Sequence, residues 1–145
     1  MAITVKKITL WRKEVANRAG ALADVLAPLA GAGADLGVVM GYRLPGHLNE
    51  AVIEIAAVAG KKASAAAAAA GLSASPIPSL LAAGDNKPGL GHAMSRAMAG
   101  AGISMSFLVA QVVGRKFSAI LGFESEADCD RAAPLIKKTT VAKKR

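Results

Sequence analysis

The chain has a single cysteine, Cys129, which excludes an intramolecular disulfide, leaves no cysteine spacing for a metal, and fits a reducing cytoplasm. Aromatic residues are almost as scarce: Trp11, Tyr42 and three phenylalanines are the whole supply in 145 residues. The core is therefore expected to be built from small aliphatic side chains. Histidine is limited to His47, in a turn beside Pro45 and Gly46, and His92, in the first turn of a helix; both read as surface residues, although His92 lies within reach of a ligand at the helix mouth. Cys129 stands between Asp128 and Asp130, neighbours that disfavour a thiolate. No Ser-His-Asp spacing and no paired His-Glu helix motif occurs, so a catalytic centre is not expected.

Long hydrophobic runs are missing too. Two windows without charge, Ala63 to Gly84 and Ala97 to Gly114, are interrupted by Pro76, Pro78, glycines, serines and Gln111, and neither is the strongly apolar stretch of ~20 residues that a bilayer needs. The opening "MAITVKKITLWRK" has lysines inside its apolar run and does not resemble a secretory signal. No membrane association is expected. Phosphate-binding glycine loops are also absent: "GAGADLG" and "GLGHAM" miss the G-x-G-x-x-G spacing, and "GAG" follows a helix instead of opening one.

What the chain has in excess is positive charge, +8 in net terms. Ten of its eighteen basic residues lie near the ends: Lys6, Lys7, Arg12, Lys13 and Arg18, then Lys137, Lys138, Lys143, Lys144 and Arg145. The tail "KKTTVAKKR" reads as a solvated terminus, flexible over 139–145. Nucleic-acid binding on a sheet requires aromatic stacking positions, and "SFLVAQVV" and "KFSAILGF" offer isolated phenylalanines only, so nucleic acid is not an expected partner.

The strongest organisational signal is internal repetition. "NRAGALADVLAPLAGAGADLGVVM" (Asn17 to Met40) aligns without a gap on "NKPGLGHAMSRAMAGAGISMSFLV" (Asn86 to Val109), a displacement of 69 residues. In copy one, the β-branched run "ITVKKITLW" predicts a strand to about Trp11, and Leu22, Val25, Leu26 and Leu29 predict a helix that ends at "GAG". "ADLGVVMGYRL" and "EAVIEIAAV" predict a hairpin across "PGHLN", and "GKKASAAAAAAG" a short alanine helix ended by Gly71.

Copy two follows the same plan. "SPIPSLLAAG" predicts a strand with an irregular start at Pro76 and Pro78. A helix over Gly89 to Gly100 is expected to bury Met94, Ala97, Met98 and Ala101. "ISMSFLVAQVV" and "KFSAILGF" predict a hairpin turning at Gly114 and Arg115, and a last helix opens at Ser125, with Asp128 completing a capping box, and runs to about Ile136. The order is β-α-β-β-α twice, with the strand after Gly71 ending one copy and starting the next. The expected fold is α+β, two ferredoxin-like units of mixed, largely antiparallel sheet with helices on one face.

Each helix mouth, Asn17 to Leu22 and Asp85 to Leu90, has free first-turn N–H groups suited to a carboxylate. Pro88 suits a first helical position, and Asp85, Asn86 or Asn17 suits either an ammonium or the role of helix cap. An ordinary helix entrance is the equally open alternative.

Taken whole, "NRAGALADVLAPLAGAGADLGVV" and "DNKPGLGHAMSRAMAGAGISMSFL" resemble the signature of ACT domains over about Ile3 to Lys138. Copy two matches more fully, since copy one has Ala19 in place of the usual proline and no acid beside Asn17. The resemblance implies ACT units at 1–74 and 75–138, a tandem without a catalytic domain and without cofactor or metal. It further implies that a small ligand, most often an amino acid, binds where two units meet, with contacts from the strand-to-helix loop of one and the start of the second strand of its neighbour. Carried over, these are Asn17, Ala19, Gly20, Ala21 and Leu22 with Asp35 and Leu36 in copy one, and Asp85, Asn86, Pro88, Gly89 and Leu90 with Ser104 and Met105 in copy two. The role implied is regulatory, with binding altering oligomer or partner association. The exposed sheet edges expected of such units favour a homodimer, and a structural role on a partner enzyme with vestigial sites is the alternative.

Overall fold

The computed structural model describes residues 3–141. In chain order the elements are β1 (Thr4–Ile8), β2 (Trp11–Ala16), α1 (Ala21–Gly31), β3 (Val38–Arg43), β4 (Glu50–Ala56), α2 (Gly60–Ala69), β5 (Ser73–Ala74), β6 (Ser79–Asp85), α3 (Leu90–Gly100), β7 (Met105–Val113), β8 (Lys116–Phe123) and α4 (Glu126–Lys137). They form two four-stranded sheets, β3-β4-β2-β5 and β1-β6-β8-β7. Every ladder is antiparallel, so the mixed sheet expected from sequence is corrected to an antiparallel one.

The two halves are built alike, with β2, β3, β4 and β5 of the first matched by β6, β7, β8 and β1 of the second. The second unit thus takes its fourth strand from the start of the chain. This corrects the expected division at 1–74 and 75–138: one compact unit spans Thr9–Pro76, and the other joins the chain up to Ile8 with the chain from Ile77 onward. "ITVKKITLW" is accordingly two strands. Ile3 and Val5 pack into the core of the second unit, while Trp11 packs into that of the first. The shared middle strand is likewise divided into β5, paired with β2, and β6, paired with β1 and β8. Pro76 and Pro78 lie between them, and a residue without an N–H cannot continue a ladder.

Helix periodicity determines what each unit buries. Ala21, Val25 and Leu29 of α1 are buried at a spacing of four, and the equivalent Leu90, Met94 and Met98 of α3 are buried in the same way. The apolar stripe of each helix follows, although Leu22 stays exposed and Ala97 and Ala101 are half-buried. In the second unit this stripe meets Cys129, Ala132 and Ile136 of α4, and Phe117, Ala119, Leu121 and Phe123 on one face of β8. In the first, Val25, Leu29, Ile53, Ile55, Ala67 and Leu72 form the core, and the larger aromatics are absent from its buried set. Each unit therefore has both helices against one face of its sheet. Ser125 caps α4 by accepting from the Asp128 N–H at 3.1 Å, as expected, while the Asp128 carboxylate accepts from Arg131.

One glycine is required by packing. Phe107 of β7 lies over Gly122 of β8, its cross-strand partner, and a Cβ at Gly122 would stand 2.2 Å from Phe107 Cε1. Among the described residues no helix is long and apolar enough to cross a membrane.

Candidate functional site

The two helix mouths share one backbone. Gly20 and Gly89 precede α1 and α3, each with φ of 87°. A residue with a Cβ is disfavoured there, which accounts for glycine at the same place in both copies. Neither helix has a side-chain cap, so the capping role considered for Asn17, Asp85 and Asn86 is not what these residues do. Pro88 also falls before the helix, which starts at Leu90.

In copy one the Asn17 N–H donates to Asn49 O at 2.8 Å, and its side-chain amide donates to Leu48 O at 3.2 Å. The loop is thereby tied to the turn between β3 and β4. Arg18 Nη2 donates to Asp24 Oδ2 at 2.6 Å, across the first turn of α1. Beside this loop is an open cleft of about 270 Å³, lined by Asn17, Arg18, Ala21 and Leu22 together with Gly41, Tyr42 and Arg43 of β3 and Val52 of β4. Three of the residues expected from sequence, Asn17, Ala21 and Leu22, line it. A second depression of about 310 Å³ shares Arg18 and Ala21 and adds Lys13, Glu14, Asp24 and Ala70.

Gly41, Tyr42 and Arg43 were not among the expected residues. They reach the mouth because the antiparallel hairpin returns the end of β3 to the start of β4, beside the end of β2: Arg43 pairs with Ala51, and Ala16 with Glu50. The signal was available in the hairpin pattern itself. Tyr42 donates its hydroxyl to Glu54 Oε2 at 3.0 Å; burial, then the Glu54 charge, pushes its pKa above the ordinary value. Glu54 is only 2% exposed, so its carboxylate faces the tyrosine hydroxyl and not solvent.

In copy two, Asp85 is half-buried and ion-paired with Lys116, its cross-strand partner at the start of β8. The Asn86 N–H donates to Arg115 O at 2.8 Å, matching the tie made by Asn17. Asn86 and Pro88 are exposed, while Leu90 is buried in the core. Val141 also packs on that core, and its Cγ1 would lie 3.7 Å from a Cβ at Gly89. Of the tail, Val141 stands beside the mouth and Thr139 Oγ1 donates to Leu135 O in the last turn of α4 at 3.0 Å; residues 142–145 of the expected flexible tail lie outside the described residues.

The second-strand residues are not brought to these mouths within a unit. Asp35 and Leu36 precede β3, whose start pairs with Ala56 at the far end of β4 from Ala51. Ser104 and Met105 stand beside Phe123, whereas Asp85 stands beside Lys116, at the two ends of β8. At ~3.4 Å per residue these ends are roughly 24 Å apart. Asp35 and Ser104 are exposed, Leu36 and Met105 half-buried.

Cys129 is buried, and burial first, then Glu126 and Asp130, raises its pKa against an opposing effect of Lys7. His47 is exposed with Nδ1 3.8 Å from Glu50, and His92 is exposed on α3. Among the described residues no group of three His, Cys, Asp or Glu is placed to hold a metal.

No family model and no curated protein matches the sequence. Solved structures do. The fold is similar to that of a protein from Bacteroides thetaiotaomicron (TM-score 0.72, 12% identity, 88% of this chain and 87% of that one). It is similar to the ligand-free regulatory subunit of aspartate kinase from Thermus thermophilus (TM-score 0.63, 12% identity, 96% and 97%). The aspartate kinase of Clostridium acetobutylicum, described as an allosteric enzyme, matches with a TM-score of 0.61 at 16% identity; the match covers 94% of this chain and 34% of the enzyme. The double α+β fold implied by the ACT resemblance is therefore the fold the chain has, and it is shared with chains that are themselves regulatory subunits.

Proposed function

We propose that the protein is a non-catalytic regulatory module that binds an amino acid or a similar small metabolite at a strand-to-helix mouth and converts occupancy into a change of oligomer or partner association. The observation that carries this reading is the cleft at Asn17, Ala21 and Leu22, on a fold shared with a regulatory subunit of aspartate kinase. Because Asp35–Leu36 and Ser104–Met105 lie at the far ends of their own units, a site of the kind the resemblance implies takes them from a different unit. Ligand binding would then favour one packing of units over another, which is how a small molecule alters association. A homodimer is the simplest such assembly. Thermal unfolding with a panel of amino acids and related acids at millimolar concentration tests the proposal. A ligand at 100 times its Kd adds ~2.7 kcal/mol, and a panel without any stabilisation would remove the sensing role for those ligands.

A second reading is favoured by copy two, where Asp85 is already paired and Val141 stands beside Gly89. Here the mouth is vestigial and the module serves as a structural companion of a partner enzyme. Association with that enzyme, undiminished when ligand is omitted, is the outcome that selects it.

A further inference from the structure

The charges lining the copy-one cleft are unbalanced. The residues that line it include two arginines, Arg18 and Arg43, and no acidic residue. Arg18 is neutralised by Asp24, which lines the neighbouring depression and not this one. Arg43, the last residue of β3, is exposed and has no ion pair among the described residues. The acids on neighbouring ladder positions lie outside the lining and have partners of their own: Glu14 pairs with Arg12, Glu50 lies 3.8 Å from His47, and Glu54 is buried against the Tyr42 hydroxyl. The cleft therefore presents one unpaired, permanently charged group whose planar fork suits a carboxylate.

A zwitterionic amino acid gains from that guanidinium through its carboxylate and loses through its ammonium, which finds no opposite charge in the lining. An acid of the same skeleton with a keto group at C2 keeps the gain and avoids the loss. We infer that the copy-one cleft selects a small 2-oxo acid over the corresponding amino acid, with Arg43 as the residue that determines the preference. The cleft volume of about 270 Å³ lies below the ~300–1,000 Å³ of drug-sized sites, in keeping with a ligand of this size. The inference rests on the reading of this mouth as a ligand site and names the class of ligand it takes.

Calorimetric titration of the full chain with 2-oxoglutarate and L-glutamate, and with pyruvate and L-alanine, isolates the C2 substituent. The oxo acid of each pair is expected to bind at least ten-fold more tightly, with an affinity that falls as salt is raised. Arg43→Ala is expected to lower oxo-acid affinity ten-fold or more, and Arg43→Lys to restore part of it; thermal unfolding verifies that both variants fold. Amino acids binding as tightly as the oxo acids, or oxo-acid binding untouched by Arg43→Ala, overturns the inference while leaving the regulatory reading standing. Absence of binding by all four acids at millimolar concentration overturns the inference and removes the sensing role for those ligands.

Discussion

The mouths before α1 and α3 have the same backbone and different surroundings. Gly20 and Gly89 share a φ of 87°, and Asn17 and Asn86 each donate a backbone N–H to a carbonyl of the following hairpin turn. Around this frame, copy one has the Arg18–Asp24 pair and an open cleft reached by Leu22, Tyr42 and Arg43, and copy two has the Asp85–Lys116 pair and Val141 against Gly89. The copy with the fuller motif, Asp-Asn-Lys-Pro-Gly, has its acid engaged, and the copy that lacks both acid and proline lines an open cleft. A loop motif specifies a backbone; the side chains that reach it from elsewhere in the unit differ between the copies.

The comparison can first be tested at the equivalent buried positions Leu29 and Met98, each 1% exposed. Truncating either to alanine is expected to cost about 2–5 kcal/mol in chemical denaturation, with the loss of hydrogen-exchange protection concentrated in the unit that carries the substitution. Gly122→Ala, which has no counterpart in copy one's packing, should destabilise the second unit by about 1–3 kcal/mol, since Phe107 must move to admit the new methyl. Gly20→Ala and Gly89→Ala should each cost about 1–2 kcal/mol, because both force alanine into a left-handed conformation. A large inequality between them would show that the mouths differ in backbone tolerance as well as in surroundings.

Smaller effects address the surroundings directly. Asp85→Asn removes an ion pair in which Lys116 is largely exposed, so the expected loss is no more than ~1 kcal/mol. Val141 packs beside the copy-two mouth, so Val141→Gly should strengthen any response of Asn86 to Leu90 to ligand in heteronuclear NMR spectra; an unchanged response would show that Val141 does not limit access there. The smallest signal is a titration. Tyr42 is the only tyrosine, so ultraviolet absorbance reports its ionisation alone. It should ionise above pH 10.0, and Glu54→Gln should lower its pKa by removing a negative neighbour. Because the folded pKa is the higher one, the unfolded chain loses its phenolic proton first. Stability is therefore lost as pH rises from the unfolded value towards the folded one.

Much of this architecture was legible in the sequence, for physical reasons that vary by element. The spacing of Val25 and Leu29 against Met94 and Met98 is helical, and the "GAG" that follows each helix closes it with glycine at φ 72° and 71°. Ser125 announced α4 through its own hydrogen bond. The strand at the chain start was harder, because "ITVKKITLW" is one β-branched run by composition, and only pairing with distant partners divides it between two sheets. The prolines at 76 and 78 signalled an irregular strand, and their full consequence was a break. Of the residues the ACT resemblance implied, Asn17, Ala21 and Leu22 line the copy-one cleft, while Arg43, Tyr42 and Lys116 came from across a ladder, where register and not sequence distance sets proximity.

The central claim is that the copy-one mouth is a small-molecule site. Heteronuclear NMR of the full chain titrated with the matched amino and oxo acids tests it most directly. Saturable shifts are expected, centred on Asn17, Ala21, Leu22 and Arg43, and Arg43→Ala should diminish them. Spectra in which these amides stay still while the ligand reaches saturating millimolar concentration would contradict it.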